Sequence, residues 1–426
     1  MRSDFAFARN RTTIRKLAKS KVQMSGPLDQ LKIIELGHVI AGPLAAALLS
    51  DFGADVIKIE APNRTDMMRD LGPKAEDGVG VWWKTLGRNK KTLGLDWKSD
   101  EGRDILRKLV EDADVLIENF RPGVLERAGV GPDVLHDWNP DLVVLRVSGY
   151  GQDGPMRDVP AFGRAAEAMS GLAHLTGFPD GPPMHPGFPA ADSTTGLMGA
   201  LGIMIALFAR EKGIARGQVV DLAVFEALLR LMDYPVPALT GANLSPRRNG
   251  LRQPMDFAPG GMFRTSDGVW LTVSAGSAET AHRLLRAVGG DALADDPRFA
   301  TLGEMSQHMT VVFDAINDFV TQHTAKEVEA VFARHDAVAS RVLSVEEIAT
   351  NEQIRHRGDI VSVAGEQTQV IGPVPHLSAT PGQLRWLGRP PGADSQSILR
   401  DLGFDDERIA ALCEAGLVRL ERGRAL

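Results

Sequence analysis

The sequence predicts an α/β fold, with a mainly parallel sheet in a large domain and a smaller α+β domain beside it. Three observations carry this. Strand-like and helix-like segments alternate from residue 31 to residue 147, a pattern that implies right-handed crossovers between parallel strands. At 426 residues the chain exceeds one ordinary core and fits about two or three domains. Past residue 260 the pattern changes to a hairpin followed by helices.

Taken in order, Leu31–Leu36 is a β-branched, mostly apolar strand, and Ala41–Leu49 is helical, with Pro43 acceptable in the first turn. Asp55–Glu60 returns as a strand. A helix over Glu101–Glu111 leads to the strand Asp114–Asn119, a further helix and the strand Leu142–Val147. Ligands of such sheets lie beyond the carboxyl ends of the strands, which here carry Gly37-His38, Glu60-Ala61, Asn119-Phe120 and Ser148-Gly149-Tyr150. The turn Gly37-His38-Val39-Ile40-Ala41-Gly42 lacks the G-x-G-x-x-G spacing that admits a pyrophosphate, and no G-x-x-x-x-G-K-[ST] loop is present. The ten histidines are scattered with no H-E-x-x-H pair, so the sequence implies no metal site.

Asp192-Ser193-Thr194-Thr195 reads as a helix start, because Asp, Ser and Thr satisfy the free N–H groups of a first turn. The helix carries no charge until Arg210, which predicts burial nearly all round. Its longest apolar stretch, Leu197 to Ala209, is 13 residues with two glycines, a core helix rather than a membrane span. Asp192 has two readings from these residues. It caps the helix, or it is a nucleophile, kept anionic by the helix dipole and with N–H groups at hand for an oxyanion.

Tyr234–Pro259, rich in proline and glycine, reads as a long connection. Gly261–Val273 is a hairpin closed by Asp267-Gly268. Helical segments follow from Ala278 and from Ser306 to about Arg334, and an amphipathic helix closes the chain at Asp405–Glu414. A net charge of -7 argues against a nucleic-acid partner. The single cysteine, Cys413, rules out an intrachain disulfide. With 43% hydrophobic and 24% charged residues, a soluble, cytoplasmic protein is expected. Residues 1–28 stand apart: seven Arg and Lys face the single acid Asp4. They read as a targeting segment, a loose arm, or translation upstream of a start at Met24.

Several spaced runs together resemble the class III (CaiB/BaiF) CoA-transferases. They are Ile33–Pro43 with Asp51–Glu60, Asn89-Lys90-Lys91 with Leu95-Asp96, Glu118–Gly123, Ser148–Pro155, Gly217–Asp221, and Gly372–Pro375 with Pro381-Gly382. The resemblance implies a Rossmann-like large domain built from both chain ends, a small central domain and an interlocked dimer. The domains then run 1–28 (basic extension), 29–225 (large domain, first part), 226–258 (linker), 259–330 (small domain) and 331–426 (return linker and remainder of the large domain). It implies CoA and acyl-CoA as substrates with no resident cofactor, small carboxylic acids as the other partners, and neither nucleic acid nor membrane.

By the same resemblance Asp192 is the nucleophile, and its ordinary pKa of about 3.9 leaves it fully ionised at neutral pH. His38, Ala41, Leu95, Lys98, Asn119, Phe120 and Arg127 fall at CoA-binding positions, while Gly260 and Gly261 are the nearest match to a glycine run that covers the intermediates. The sequence also departs from the family pattern. Ala61 stands where a relative has a basic residue, which Arg64 or Arg69 could replace, and Ile40 stands at a glutamine. Phe162 occupies the histidine position of 2-methylacyl-CoA racemases and cannot accept a proton, so it is expected to wall the acyl pocket. Gly163 takes the place of a carboxylate, with Glu167 one turn on. A CoA-transferase is therefore expected. The alternatives are an acyl-CoA racemase or isomerase, and a partner subunit of a heteromer of the benzylsuccinate CoA-transferase type.

Overall fold

A computed structural model describes residues 26–256 and 258–421, the side chain of Met255 aside. Residues 1–25 of the basic N-terminal segment lie outside them. The chain divides into two compact units. The first comprises residues up to Arg146, Gly199–Val220 and the chain from Val361 onward; the second comprises Val147–Met198 and Asp221–Ile360.

The central sheet has seven strands: β1 (Lys32–Glu35), β2 (Asp55–Glu60), β3 (Lys90–Leu95), β4 (Val115–Glu118), β5 (Val143–Ser148), β6 (Val219–Ala223) and a C-terminal strand, Val418–Arg419. Their order is C-terminal strand–β3–β2–β1–β4–β5–β6. β1 pairs in parallel with β2 and β4, β2 with β3, and β4 with β5; the C-terminal strand is antiparallel on β3. The mainly parallel sheet is as the alternating pattern predicts. Every residue of β4 and β5 is buried, the signature of strands covered on both faces. The core of this unit joins Leu93, Leu106, Leu116 and Val144 to Leu399 and Leu412 near the other end of the chain.

Three elements differ from the sequence expectation. β3 was not read as a strand because it opens on Lys90 and Lys91, yet Lys90 is fully buried against Glu35, so its charge is matched inside the protein. The Tyr234–Pro259 connection contains a helix, Pro235–Ala242. Pro235 sits in its first turn, where a missing N–H costs nothing. Third, the helix Ala190–Glu211 is not buried all round. Ile203 and Ala206 are buried, but Leu197, Leu201, Met204, Ile205 and Phe208 form a one-sided stripe, each between 37% and 62% exposed. Hydropathy alone cannot tell a face covered by its own chain from one that the chain leaves open.

In the second unit, β7 (Gly260–Arg264), β8 (Trp270–Ser274) and β9 (Val338–Arg341) form an antiparallel sheet. Its hairpin turns at Asp267-Gly268, where Gly268 has φ 83°, a conformation that favours glycine. The helices Ala278–Ala294, Met309–Gln322 and Ala325–Arg334 pack with the sheet around Phe263, Leu271, Val273, Leu284, Ile316 and Phe332.

Candidate active site

In the first unit the strand order reverses between β1 and β4, and open α/β sheets bind ligands at such a switch point. The loop after β1 carries His38 and Val39, and the loop after β4 carries Asn119 and Phe120. Asn119 ties the two together. Its Oδ1 accepts the His38 N–H at 2.7 Å and its Nδ2 donates to the His38 carbonyl at 2.7 Å. Val39 has φ 68°, uncommon for a β-branched residue. Its N–H donates to Asp66 Oδ2 at 3.2 Å, which helps hold that conformation.

An aromatic ledge follows the strand ends. The His38 and Phe120 rings lie 5.7 Å apart, as do those of Phe120 and Trp97, and the Lys98 ammonium sits 5.1 Å from the Trp97 ring. Lys98 and Arg127 are exposed and have no carboxylate in ion-pairing range among the described residues. A free cation beside an aromatic surface, as Lys98 is, suits a phosphorylated nucleotide. Leu95 and Ala41 are buried in the core, so their side chains are not available to a ligand. Ile40 is half-buried at the start of the Ala41–Ser50 helix. Of the two arginines near Ala61, Arg69 is already committed: it pairs with Glu60, lies 3.6 Å over the Trp83 ring and donates to the Arg389 carbonyl. Arg64 remains exposed.

Behind the loop lies a set of buried charges. The Lys58 ammonium, fully buried, donates to Glu35 Oε1 at 3.0 Å, to Asp66 Oδ2 at 2.9 Å and to the Gly37 carbonyl. Lys90 pairs with Glu35 Oε2 at 2.6 Å and donates to the Pro43 carbonyl at 2.7 Å. Burial opposes every one of these charges. It pushes Lys90 down to about 8 against the pull of Glu35. For Lys58 the attraction of Glu35 and Asp66 outweighs burial and holds the ammonium above its ordinary value. For Asp66, Lys58 and His38 outweigh burial and hold the carboxyl well below the usual range. The cluster therefore fixes the carbonyl of Gly37 and the N–H of Val39 at the switch point.

The second unit holds Asp192. It is the third residue of the Ala190–Glu211 helix, and no donor among the described residues reaches its carboxylate. The expected cap is thus absent: the Ser193 N–H donates to the Pro189 carbonyl, and Thr195 Oγ1 donates to the carbonyl of Ala191 at 2.8 Å. Asp192 instead faces Gly163, the first residue of the Gly163–Met169 helix. A Cβ on Gly163 would overlap Asp192 Oδ2 and come within 3.0 Å of its Cγ. Glycine leaves the space that the carboxylate fills.

One turn along, Glu167 is fully buried. Its Oε2 accepts from Arg164 and from His185 Nδ1, each at 2.7 Å, while its Oε1 is buried without a hydrogen-bond partner. Burial, and then the charge of Glu167, push Asp192 up to about 6, with Arg164 pulling the other way. The dipole-stabilised, fully ionised carboxylate expected from the sequence is therefore corrected. Desolvation and a like charge outweigh the helix terminus.

Phe162 is 78% exposed at the start of the Gly163–Met169 helix. Gly260 and Gly261 lie in β7 with φ 146° and 154°, where a Cβ would overlap the carbonyls of Val273 and Leu251. They serve close sheet packing. Sequence reasoning passed over Trp97, His185 and the Lys58 cluster. Lysine and glutamate inside the apolar strand Val56-Ile57-Lys58-Ile59-Glu60 were the available signal for buried ion pairs. No pattern marked His185.

The model of a family described as CoA-transferase family III matches residues 28–395. Succinyl-CoA–D-citramalate CoA-transferase of Chloroflexus aurantiacus is 37% identical over 390 residues, covering 91% of this chain and 96% of that protein. The beta subunit of succinyl-CoA–L-malate CoA-transferase from the same organism is 37% identical over 392 residues, covering 90% and 96%. A CaiB/BaiF family protein of Brucella suis has a similar solved structure, with a TM-score of 0.77, 28% identity, and coverage of 89% of this chain and 100% of that one.

Proposed function

We propose, since the chain belongs to CoA-transferase family III and is an enzyme of CoA transfer, that it moves CoA from an acyl-CoA donor to a carboxylic acid through covalent intermediates on Asp192. An Asp192 oxygen attacks the thioester carbon, the C–S bond breaks with its electron pair on sulfur, and an aspartyl anhydride and CoA thiolate result. The thiolate attacks the aspartyl carbonyl, forming an aspartyl-CoA thioester and releasing the first acid. The incoming carboxylate attacks that thioester, and the thiolate then attacks the new acyl carbonyl, freeing Asp192. No proton is gained or lost. One observation carries this reading: Asp192 is a half-buried carboxylate over Gly163 that no donor among the described residues engages, as a nucleophile requires and a cap does not. Partial burial also limits hydrolysis of the anhydride.

His38, Asn119, Phe120 and the backbone at Ala41 and Leu95 hold the CoA arm at the switch point, with Lys98 and Arg127 on its phosphates. Succinyl-CoA is the first donor to test, because the named relatives use it. Turnover of succinyl-CoA with at least one acid of a panel, by the purified chain alone, is expected. A chain inert by itself but active with a homologous second subunit would instead favour the heteromeric reading, which the subunit naming of a relative brings forward.

Phe162 argues against the racemase reading, since its ring offers no base for the α-proton. A pure (R)-2-methylacyl-CoA should keep its configuration, with no solvent deuterium at the α-carbon. Rapid loss of optical purity would overturn the transferase assignment.

The apolar stripe on the Ala190–Glu211 helix supports an interlocked dimer of this chain, because contiguous apolar faces of this kind mark interaction surfaces. Interlocking makes folding and association one event. Sedimentation should show a dimer down to the lowest measurable concentration, and a folded monomer on dilution contradicts it.

A further inference from the structure

We propose that Glu167 is a positioning residue for the transfer reaction: a buried anion behind Asp192 that repels the nucleophile's charge and so favours its covalent adducts. This rests on the reading of Asp192 as nucleophile. Gly163 and Glu167 are four residues apart and share one face of the same short helix. Side chains on a helix lean toward its N-terminus, so Glu167 leans toward the turn on which Asp192 is seated. Glu167 is fully buried and cannot meet substrate. Arg164 and His185 hold only its Oε2, and Oε1 is left without a partner. An unpaired buried acceptor is costly.

The chemistry gives that cost a use. When an Asp192 oxygen bonds to the acyl carbon, the negative charge passes to the CoA sulfur as the C–S bond breaks. Repulsion from Glu167 therefore acts on the free carboxylate and vanishes in the anhydride and the aspartyl thioester. The nucleophile is kept basic, and its adducts are favoured over the resting anion. The rise of Asp192 to about 6, caused by burial and then Glu167, agrees with this geometry.

Few other charges bear on the site. The Ala190–Glu211 helix has none between Asp192 and Arg210. On the Val224–Leu231 helix, which packs on the Gly163–Met169 helix, Glu226 accepts the Ala223 N–H and Arg230 pairs with Asp233. Arg164, about half exposed, is the cation that opposes Glu167 at Asp192.

Two isosteric variants test the proposal through opposite signs. In wild type, kcat/KM for succinyl-CoA should fall as pH drops through about 6, as Asp192 gains a proton. Glu167→Gln removes the repelling charge, so this limb should move down by about one pH unit and the plateau kcat should fall about tenfold, with KM little changed. Arg164→Gln removes the opposing cation, and the limb should move up. Because Arg164 is a surface residue, that variant keeps the test alive if Glu167→Gln does not fold. A merely structural Glu167 lowers the plateau or the melting temperature and leaves the limb in place. An unmoved limb in both variants, while wild type still forms the Asp192 adduct, overturns this inference alone; absence of the adduct in wild type overturns the nucleophile reading beneath it.

Discussion

Replacing Asp192 with serine or alanine is expected to lower CoA transfer by several orders of magnitude while the protein melts at or above the wild-type temperature. Both halves follow from the site. Loss of a covalent nucleophile removes the intermediate, and the neighbouring carboxylate Glu167 is fully buried and does not replace it. The stability half follows from a sign. Burial and Glu167 hold the folded pKa of Asp192 above that of an unfolded carboxyl. A raised carboxyl binds more protons in the native state, so its ionisation weakens the fold as pH rises from about 4 through about 6. Removing it near neutral pH should relieve the protein. A helix cap predicts the reverse: a loss of roughly 0.5–2 kcal/mol for alanine, little for serine, and turnover retained in both. Near-normal exchange by Asp192→Ser would contradict the assignment.

The largest stability effect is expected at Lys58. Lys58→Met keeps the length of the side chain but leaves Glu35 and Asp66 facing each other's charge with one cation fewer, and frees the Gly37 carbonyl. Removing one partner of a buried ion pair costs about 3–5 kcal/mol, because the remaining charge stays desolvated. Lys90 still serves Glu35, but Asp66 keeps only the His38 ring, 3.7 Å away, and backbone N–H groups. Urea denaturation at one fixed protein concentration should show the loss. In whatever fraction stays folded, KM for acyl-CoA should rise, because the loop that presents His38 is no longer anchored. A loss below about 1 kcal/mol would mean that the cluster is hydrated or rearranged in solution.

The sequence made the frame of the fold legible where physics leaves a direct trace. β1, β2, β4 and β5 are apolar runs at crossover spacing, and the Asp267-Gly268 turn needs the glycine it has. β3 was hidden because lysine is a poor sign of a buried strand, and Glu35, its partner, is 55 residues earlier in the chain. The open stripe on the Ala190–Glu211 helix was hidden because a one-dimensional apolar run carries no record of which chain covers it. Asp192 in the second unit, and His38, Asn119 and Phe120 at the switch point of the first, were picked out as candidates through spaced motifs that resemble a known family. What the motifs could not give was the charge state. Burial and then the charge of Glu167 raise Asp192, and the setting of Glu167 depends on His185, 18 residues away in a proline-rich loop with no periodicity to announce the contact.

On the proposed mechanism Asp192 carries the acyl and CoA groups in turn. Hydroxylamine or borohydride added during turnover with succinyl-CoA converts an activated aspartyl group to a stable product, which digestion and mass spectrometry can place. The modification should fall on the peptide containing Asp192, appear only with acyl-CoA present, and be absent from Asp192→Ser. Label on another carboxylate, or none during active turnover, would contradict a covalent role for Asp192.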